Sequence, residues 1–290
     1  DGSVKFAGVE NDSALKLKEW YMRLPCGQCI GCRLERSRQW ATRMMHEASL
    51  WHANCFVTLT YDEVHLPKDL SLRKKDFQDF MKRLRVNFKG DQCVERNGKI
   101  TRPIRYFHCG EYGGERKRPH YHACLFNFDF VDRVLYSSKA GNDLFYSEAL
   151  EKLWGKGFAI VGALTFESAA YVARYVCDKV TGEKAKEHYG HRLPEYATMS
   201  RRPGIGYDWI EKYHGETYRD DTVVCRGSKA KPPRYYDTFM SGLDADLMER
   251  IKQERLDKGY LSTEHETSRR LSDRERCKSL TMKQFKRNVD

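Results

Sequence analysis

Apolar and polar positions repeat with two different periods between residues 53 and 182. Runs rich in β-branched and aromatic residues predict strands over 55–61, 105–109, 120–126 and 158–164. Apolar residues spaced by three and four predict helices over 33–51, 72–88, 147–154 and 167–180. From residue 55 the order is strand, helix, strand, strand, helix, strand, helix. This order predicts an α+β core of the ferredoxin-like or RRM-like type, with a central antiparallel sheet and flanking helices.

The sequence on either side of this core has a different texture. Closely spaced cysteines and arginines mark residues 1–52, whereas residues 183–290 are highly charged and contain one predicted helix, 244–258. We therefore expect an N-terminal Cys/Arg-rich extension (1–52), the core (53–182) and a C-terminal basic extension (183–290). The last ~20 residues are expected to be loosely ordered, because they are basic and hold few apolar residues. Since the sequence opens with Asp1 rather than Met, we also expect residues before it.

Composition and charge narrow the range of partners. The 290 residues are 40% hydrophobic, which is enough to form a core and excludes global disorder. Lys and Arg number 52 against 41 Asp and Glu, a net charge of +11 that favours a polyanionic partner, most often nucleic acid. A basic protein without such a partner remains the alternative. No run approaches the roughly 18 apolar residues of a membrane span, so no membrane partner is expected. Most of the cysteines stand alone, which indicates a reducing compartment.

A His-x-His motif is the sharpest chemical feature. His120 and His122 are two residues apart on a predicted strand, so both imidazoles face the same side. Glu111 ends the preceding strand and can approach them across a hairpin. Two imidazoles and a carboxylate suit Mn²⁺ or Mg²⁺ acting on a phosphodiester, and Zn²⁺ accepts the same ligands. The alternative is a pair of solvent-facing histidines on an edge strand.

A second constellation lies on the predicted helix 167–180. Tyr171, Tyr175 and Lys179 are spaced by four residues and share one stripe of the helix. A tyrosine oxygen can attack phosphorus and form a phosphotyrosyl link, and a nearby cation such as Lys179 favours the phenolate. The alternative interpretation is an aromatic stripe packed in the core.

The cysteine cluster Cys26, Cys29 and Cys32 has the spacing of metal ligands. A tetrahedral structural Zn²⁺ site requires a fourth ligand, for which His46 and Cys55 are candidates. Reduced thiols in a turn are the equally weighted alternative.

Several basic and aromatic residues are candidates for DNA contacts. They comprise the loop beside the histidines, the polar face of the helix 72–88, arginines of the helix 33–51, and two tyrosines for base stacking. These are Arg116, Lys117, Arg118, Arg174, Lys74, Lys75, Lys82, Arg83, Arg85, Arg33, Arg36, Arg38, Arg43, Tyr112 and Tyr121.

The order of these motifs resembles that of HUH endonucleases. The strand 56–61, then Glu111 with residues 118–122, then Tyr171-x3-Tyr175 match the three motifs of that superfamily in sequence order. The two-tyrosine form is similar to the rolling-circle replication initiators of small single-stranded DNA phages. Residues 25–33 and 200–206 (PCGQCIGCR and SRRPGIG) are similar to those of the gokushovirus initiation proteins within the Microviridae.

The resemblance implies an HUH endonuclease core and a specific activity. His120 and His122 would bind the metal with Glu111 as third ligand, and Tyr171 and Tyr175 would be alternating nucleophiles. The family nicks the viral origin through a 5′-phosphotyrosyl intermediate, leaves a 3′-hydroxyl primer and later religates the displaced strand. Single-stranded DNA, a host helicase and a host DNA polymerase are the implied partners, in the host bacterial cytoplasm.

One departure concerns the cations near the tyrosines. In related two-tyrosine initiators a lysine follows each tyrosine by three residues, whereas here those positions hold Arg174 and Asp178, and the nearest lysine is Lys179. The cation that serves each phenol therefore stays open. A non-catalytic single-stranded nucleic-acid-binding protein with the same sheet is the alternative function, and a Zn²⁺ hydrolase is the third.

Overall fold

The structure is a computed structural model that describes residues 3–7, 19–23, 27, 29–114, 116–139, 141–178, 180, 182–260 and 267–284. The strands in chain order are β1 (Ser3–Ala7), β2 (Glu19–Arg23), β3 (Asn54–Thr60), β4 (Val94–Arg96), β5 (Lys99–Thr101), β6 (Arg105–Tyr112), β7 (Pro119–Phe126), β8 (Val134–Lys139), β9 (Asn142–Tyr146), β10 (Ala159–Gly162), β11 (Tyr196–Met199), β12 (Val223–Cys225) and β13 (Ser228–Ala230). The helices are α1 (Ile30–Ala48), α2 (Lys74–Asn87), α3 (Glu148–Trp154), α4 (Phe166–Asp178), α5 (Lys184–Tyr189), α6 (Tyr207–Arg219), α7 (Arg234–Leu243), α8 (Ala245–Tyr260) and α9 (Ser268–Gln284).

A seven-stranded sheet forms the centre of the fold. Its strand order is β11-β6-β7-β3-β10-β9-β8, and every neighbouring pair is antiparallel. Helices cover both of its faces. The predicted α+β class with a central antiparallel sheet and flanking helices is therefore confirmed.

Alternation along the strands divides the core into two layers. On β3, Cys55, Val57 and Leu59 face the layer that α2 and α3 cover. Phe56, between them in sequence, belongs to the opposite layer, which α1 and α4 cover. This division follows from the two-residue repeat of a strand. It determines which side chains of neighbouring strands lie on the same face and can contact one another.

Local signals fix several element ends as predicted. The Ser147 hydroxyl accepts the Leu150 amide at 3.1 Å and caps α3, and Gly155 ends that helix with a positive φ of 60°. Asn97 and Gly98, both with positive φ, form the tight turn between β4 and β5. These elements begin and end where short-range chemistry requires.

Other elements were not predicted from the sequence. The hairpin β8–β9 and the edge strand β11 extend the sheet at its two ends. The first residues of β8, 134–136, are mostly exposed, so they lack the buried alternation that identifies a strand. Helix α9 occupies Ser268–Gln284, where a loosely ordered tail was expected. That segment contains no Gly or Pro and several good helix formers, so its charge does not prevent a helix.

The C-terminal helices pack around a third apolar cluster that joins α1. His46 of α1 stacks on Trp209 with ring centres 3.6 Å apart, and its Nδ1 lies 2.9 Å from the Tyr236 hydroxyl. Burial lowers the pKa of His46 to about 4, so the ring is neutral near pH 7. None of the described helices combines the length and apolar character that a membrane crossing requires.

A buried ion pair connects α1, β6 and the loop before α6. Glu47 accepts Nε of Arg105 at 2.6 Å, and both side chains are almost fully buried. The Gly206 amide donates to the other oxygen of Glu47 at 2.7 Å. Arg43 donates to the Ile205 carbonyl at 2.8 Å. The backbone of the loop before α6 is therefore fixed by charged side chains, the carboxylate of Glu47 and the guanidinium of Arg43.

Candidate active site

The β6–β7 hairpin brings a carboxylate and two imidazoles together. Glu111 lies directly opposite His120 in the strand register, and His122 is two residues further along β7 on the same face. One ligand atom from each residue lies within 4.8 Å of the others. Among the described residues this is the one group of histidine, cysteine and carboxylate side chains that could hold a metal ion.

The carboxylate of Glu111 is the centre of this group. Its Oε1 lies 2.5 Å from Nε2 of His120 and 3.0 Å from Nε2 of His122. Burial opposes its ionisation, but the two histidines more than compensate and lower the pKa of Glu111 to about 2. Its other oxygen, Oε2, is buried and has no hydrogen-bond partner within the described part of the chain.

The outer nitrogens of both imidazoles contact protein acceptors. Nδ1 of His120 lies 3.2 Å from the Arg118 carbonyl, which can accept a hydrogen bond from an N–H at this position. Nδ1 of His122 lies 2.9 Å from Oγ1 of Thr58, which can accept in the same way. With a cation bound, these outer acceptors would hold the proton on each Nδ1 and leave the Nε2 lone pairs for the cation, as in metal sites whose ligands are oriented by outer hydrogen bonds. The residues therefore fit a divalent cation, and the buried Oε2 offers one more donor atom.

Helix α4 brings Tyr171 to this group. Thr165 and Ser168 exchange backbone and side-chain hydrogen bonds at the start of the helix, which fixes its first turn. The Tyr171 hydroxyl donates to Oε1 of Glu111 at 3.3 Å, and its ring packs edge-on against His122. Tyr171 is thus largely buried in packing while its hydroxyl contacts the carboxylate.

The remaining residues of the predicted tyrosine stripe are described only in part. The guanidinium of Arg174 lies 6.0 Å from the ring centre of Tyr171. The side chain of Tyr175 and the whole of Lys179 lie outside the described residues.

Predicted DNA contacts beside the histidines divide into two kinds. Arg116 and Lys117 are exposed in the loop between β6 and β7. Arg118 instead pairs with Glu63 and donates to the Tyr61 carbonyl at 2.9 Å. Its guanidinium therefore holds the chain that leaves β3.

The expected base stacking by Tyr112 and Tyr121 is wrong, and the expected channel along α2 does not lie at the metal group. Tyr121 is fully buried, with its hydroxyl 2.8 Å from that of Tyr61, and the Tyr112 hydroxyl donates to the Leu193 carbonyl. Neither ring can stack on a base. The basic face of α2 lies across the sheet from Glu111, where Arg83 donates to the carbonyl of Leu153. Because α2 covers the opposite layer, that face cannot line a channel at the metal group.

The arginines predicted on α1 also differ in their surroundings. Arg43 is buried on a loop carbonyl and Arg38 bonds Glu35, whereas Arg33 and Arg36 lie nearer the start of the helix.

The cysteine cluster lies only partly within the structure. Cys26 is outside the described residues, Cys29 directly precedes α1, and Cys32 lies in its first turn. His46 is fourteen residues beyond Cys32 on the same helix, about 21 Å along its axis. Cys55 faces the layer of α2 and α3. Neither of the two expected fourth ligands is therefore placed to complete a site with Cys32.

Sequence reasoning missed Thr58. It is a polar residue at the position of β3 that pairs with His122 across the sheet. A hydroxyl between the apolar residues of a buried strand was a usable signal, but its partner depends on a strand register that no local pattern defines.

Comparisons with known proteins identify relatives of this chain. A family described as "Replication-associated protein ORF2/G2P" matches residues 54–180. The chain is 41% identical over 217 residues to the replication-associated protein VP4 of Bdellovibrio phage phiMH2K, covering 74% of this chain and 66% of that protein. It is 35% identical over 246 residues to the replication-associated protein ORF2 of Spiroplasma virus 4, covering 80% and 72%. It is 27% identical over 238 residues to the replication-associated protein ORF4 of Chlamydia phage 1, covering 80% and 57%. No solved structure matches the chain.

The fold and the site define an α+β protein whose antiparallel sheet carries a potential metal group beside a helix tyrosine. The chain belongs to the family of phage replication-associated proteins. It spans 66% of the length of the Bdellovibrio phage protein and 57% of the Chlamydia phage protein.

Proposed function

We propose that this chain is a rolling-circle replication initiator of the HUH type. It would be a metal-dependent single-stranded DNA endonuclease and strand transferase that nicks the viral origin. The observation that carries this proposal is the position of the Tyr171 hydroxyl, 3.3 Å from the carboxylate oxygen that both histidines contact. Membership of the replication-associated family supports DNA as the substrate.

The chain's own residues would carry out the cleavage as a single exchange of phosphate esters. Glu111, His120 and His122 would hold a divalent cation, Mg²⁺ or Mn²⁺, which when bound supplies Lewis-acid polarisation of the phosphodiester. The oxygen of Tyr171 attacks phosphorus, the bond from phosphorus to the 3′ oxygen breaks, and the protein becomes linked to the 5′ phosphate. The phenolic proton leaves to water and the 3′ oxygen takes up a proton. The step thus consumes neither water nor a nucleotide.

The reverse of this exchange would rejoin strands. A free 3′-hydroxyl attacks the phosphotyrosyl phosphorus, the tyrosine oxygen leaves, and a phosphodiester forms. Tyr175, one helical turn beyond Tyr171, would make the second cut while the first link persists, with Lys179 or Arg174 as a neighbouring cation. The sequence has no Gly-x4-Gly-Lys-Ser/Thr motif, so a host helicase would open the duplex and a host polymerase would extend the primer in the bacterial cytoplasm.

An adduct assay tests the proposal. The chain is incubated with Mn²⁺ and labelled single-stranded origin DNA, and SDS gels separate any covalent complex. We expect an SDS-resistant adduct that the double variant Tyr171→Phe with Tyr175→Phe abolishes. Tyr136→Phe is the matched control, because Tyr136 is 60% exposed on β8, far along the sheet from β7. Mass spectrometry of the DNA-linked tryptic peptide would identify the tyrosine.

The other functions give different results in the same assay. A non-catalytic binding protein shifts the DNA on a native gel without any adduct. A Zn²⁺ hydrolase cleaves the DNA and tolerates both tyrosine substitutions. Either result contradicts the proposed chemistry.

A further inference from the structure

A cavity of about 310 Å³ opens at the end of β6 that lies away from Glu111. Its walls are the end of α2, the segment before β6 and the loop before α6. Five of its nine lining side chains are cationic, and none of the described residues that line it is acidic. A concave surface whose charges have one sign focuses its electrostatic potential outward and attracts ions of opposite charge. The five cations are Arg85, Lys89, Arg102, Arg105 and Arg202.

Four of these cations contact protein groups, since Arg102 donates to the Asp91 carbonyl at 2.8 Å and Lys89 donates to the Arg85 carbonyl at 3.4 Å. Arg105 is buried and paired with Glu47, and Arg85 donates to the Ile104 carbonyl at 2.8 Å. Burial lowers the pKa of Arg85, and the neighbouring charge of Arg105 lowers it further. The carbonyl contact satisfies a hydrogen bond of Arg85 without neutralising its charge, so a bound anion would relieve this repulsion.

All the cations of this cavity except Arg105 stand exposed around its mouth. These are Arg85, Lys89, Arg102 and Arg202. The loop that carries Arg202 is fixed, because Arg105 donates to the carbonyls of Pro203 and Gly204, both at 3.1 Å. A cation on an anchored loop loses less conformational freedom on binding than one on a free loop.

The cavity is separate from the candidate metal group. Arg105 and Glu111 are six residues apart on β6, which places them about 20 Å apart along the strand. One phosphate cannot contact both places. On a regular DNA strand, where charges recur every ~3.4 Å, this distance corresponds to about six phosphates.

We propose that this cavity, the basic pocket, binds backbone phosphates of DNA at a second place about 20 Å from the metal group. This proposal rests on the proposed function only because that function names DNA as the polyanion. Its cationic donors, beside apolar Phe88, Pro103 and Ile104, suit phosphate oxygens better than base edges. Such a contact fixes the register of the DNA without reading its sequence.

A binding experiment with two matched charge-removal variants tests the basic pocket. The full chain is titrated in EDTA with fluorescein-labelled single-stranded DNA of about 30 nucleotides, long enough to span ~20 Å in any form. Lys89→Gln with Arg202→Gln removes two charges from the mouth. Arg250→Gln with Lys258→Gln removes two exposed charges from α8 as the control. We expect the first variant to bind on the order of tenfold more weakly, with the slope of log K against log salt reduced by about two.

The outcomes separate three explanations. Equal losses in the two variants overturn the pocket, because net charge alone would then set the affinity. A second measurement compares the effect of tripolyphosphate on the Tm of the wild type and of Lys89→Gln with Arg202→Gln. If tripolyphosphate raises only the wild-type Tm while both proteins bind DNA equally well, the pocket binds small polyphosphates and the DNA proposal is wrong. Binding in EDTA needs no tyrosine chemistry, so absence of an adduct would contradict the proposed function and leave this comparison intact.

Discussion

Replacing Thr58 by valine tests how the sheet prepares His122 for a metal. Valine keeps the size and shape of threonine but removes the hydroxyl that lies 2.9 Å from Nδ1 of His122. The His122 side chain is 1% exposed, so water cannot take the place of that hydroxyl. A metal on Nε2 requires the proton on Nδ1, and Thr58→Val leaves that N–H buried without an acceptor.

The size of the effect on metal affinity follows from the difference between the metal-free and the metal-bound protein. Without metal, the ring of His122 can move its proton to Nε2 and donate to Glu111, so the folded protein loses little. With metal, the buried unsatisfied N–H costs about 1–3 kcal/mol. Since about 1.4 kcal/mol corresponds to a tenfold change in affinity, we expect the Kd for Mn²⁺ to rise roughly 10- to 100-fold.

Isothermal titration with Mn²⁺, together with urea unfolding of the metal-free protein, measures the two effects separately. Thr58→Ser keeps the hydroxyl and should keep most of the affinity. Thr60→Val is the matched control, because Thr60 pairs with His120 across the sheet but its side chain makes no hydrogen bond to the described residues. If Thr58→Val binds Mn²⁺ as tightly as the wild type, the outer hydrogen bond does not orient His122 and the reasoning fails.

Three further predictions concern stability. Glu47→Leu leaves Arg105 buried without its counter-ion and should lower the free energy of unfolding by about 3–5 kcal/mol in urea. Glu47→Leu with Arg105→Met should restore part of this loss, because the double variant removes the unpaired charge but still leaves the Gly206 amide without its acceptor; equal stabilities for the two variants would contradict this. Gly157→Ala should cost more than about 2 kcal/mol, because φ is 131° and the new Cβ would clash with the backbone nitrogen of Asp62. Gly98→Ala, in an open turn, should cost only about 1–2 kcal/mol in the same unfolding assay. Because burial lowers the pKa of His46 to about 4 from 6.5, the unfolded chain takes up a proton that the fold excludes, so stability should fall from about pH 6.5 to about pH 4. His46→Gln should flatten that part of the curve, and an unchanged slope would assign it to other groups.

Short-range patterns predicted most of the sheet and the pairing of the histidines. A two-residue repeat placed His120 and His122 on one face of β7, and the same repeat places Tyr121 on the other face. The burial of Tyr121 is therefore predictable from the sequence, and this burial excludes a base-stacking role. Helix caps such as Ser147 were predictable because their partners are three residues away.

What the sequence could not supply were contacts between distant segments. Glu47 and Arg105 are 58 residues apart, and β11 joins the sheet by pairing with the middle of β6. Their association depends on how the layers stack, which no local period encodes. Thr58 belongs to the same group of features, since only the register of β3 against β7 makes it a neighbour of His122.

The attachment of β11 to β6 determines how this protein can be divided for laboratory work. A fragment that stops at residue 182 would lose β11 and leave β6 as an open edge beside the candidate site. It would also remove the amide that Gly206 donates to Glu47. An unprotected edge of this kind invites intermolecular strand pairing. Expression designs that aim for a minimal fragment should therefore extend past α6, even though the proposed site residues all precede residue 180.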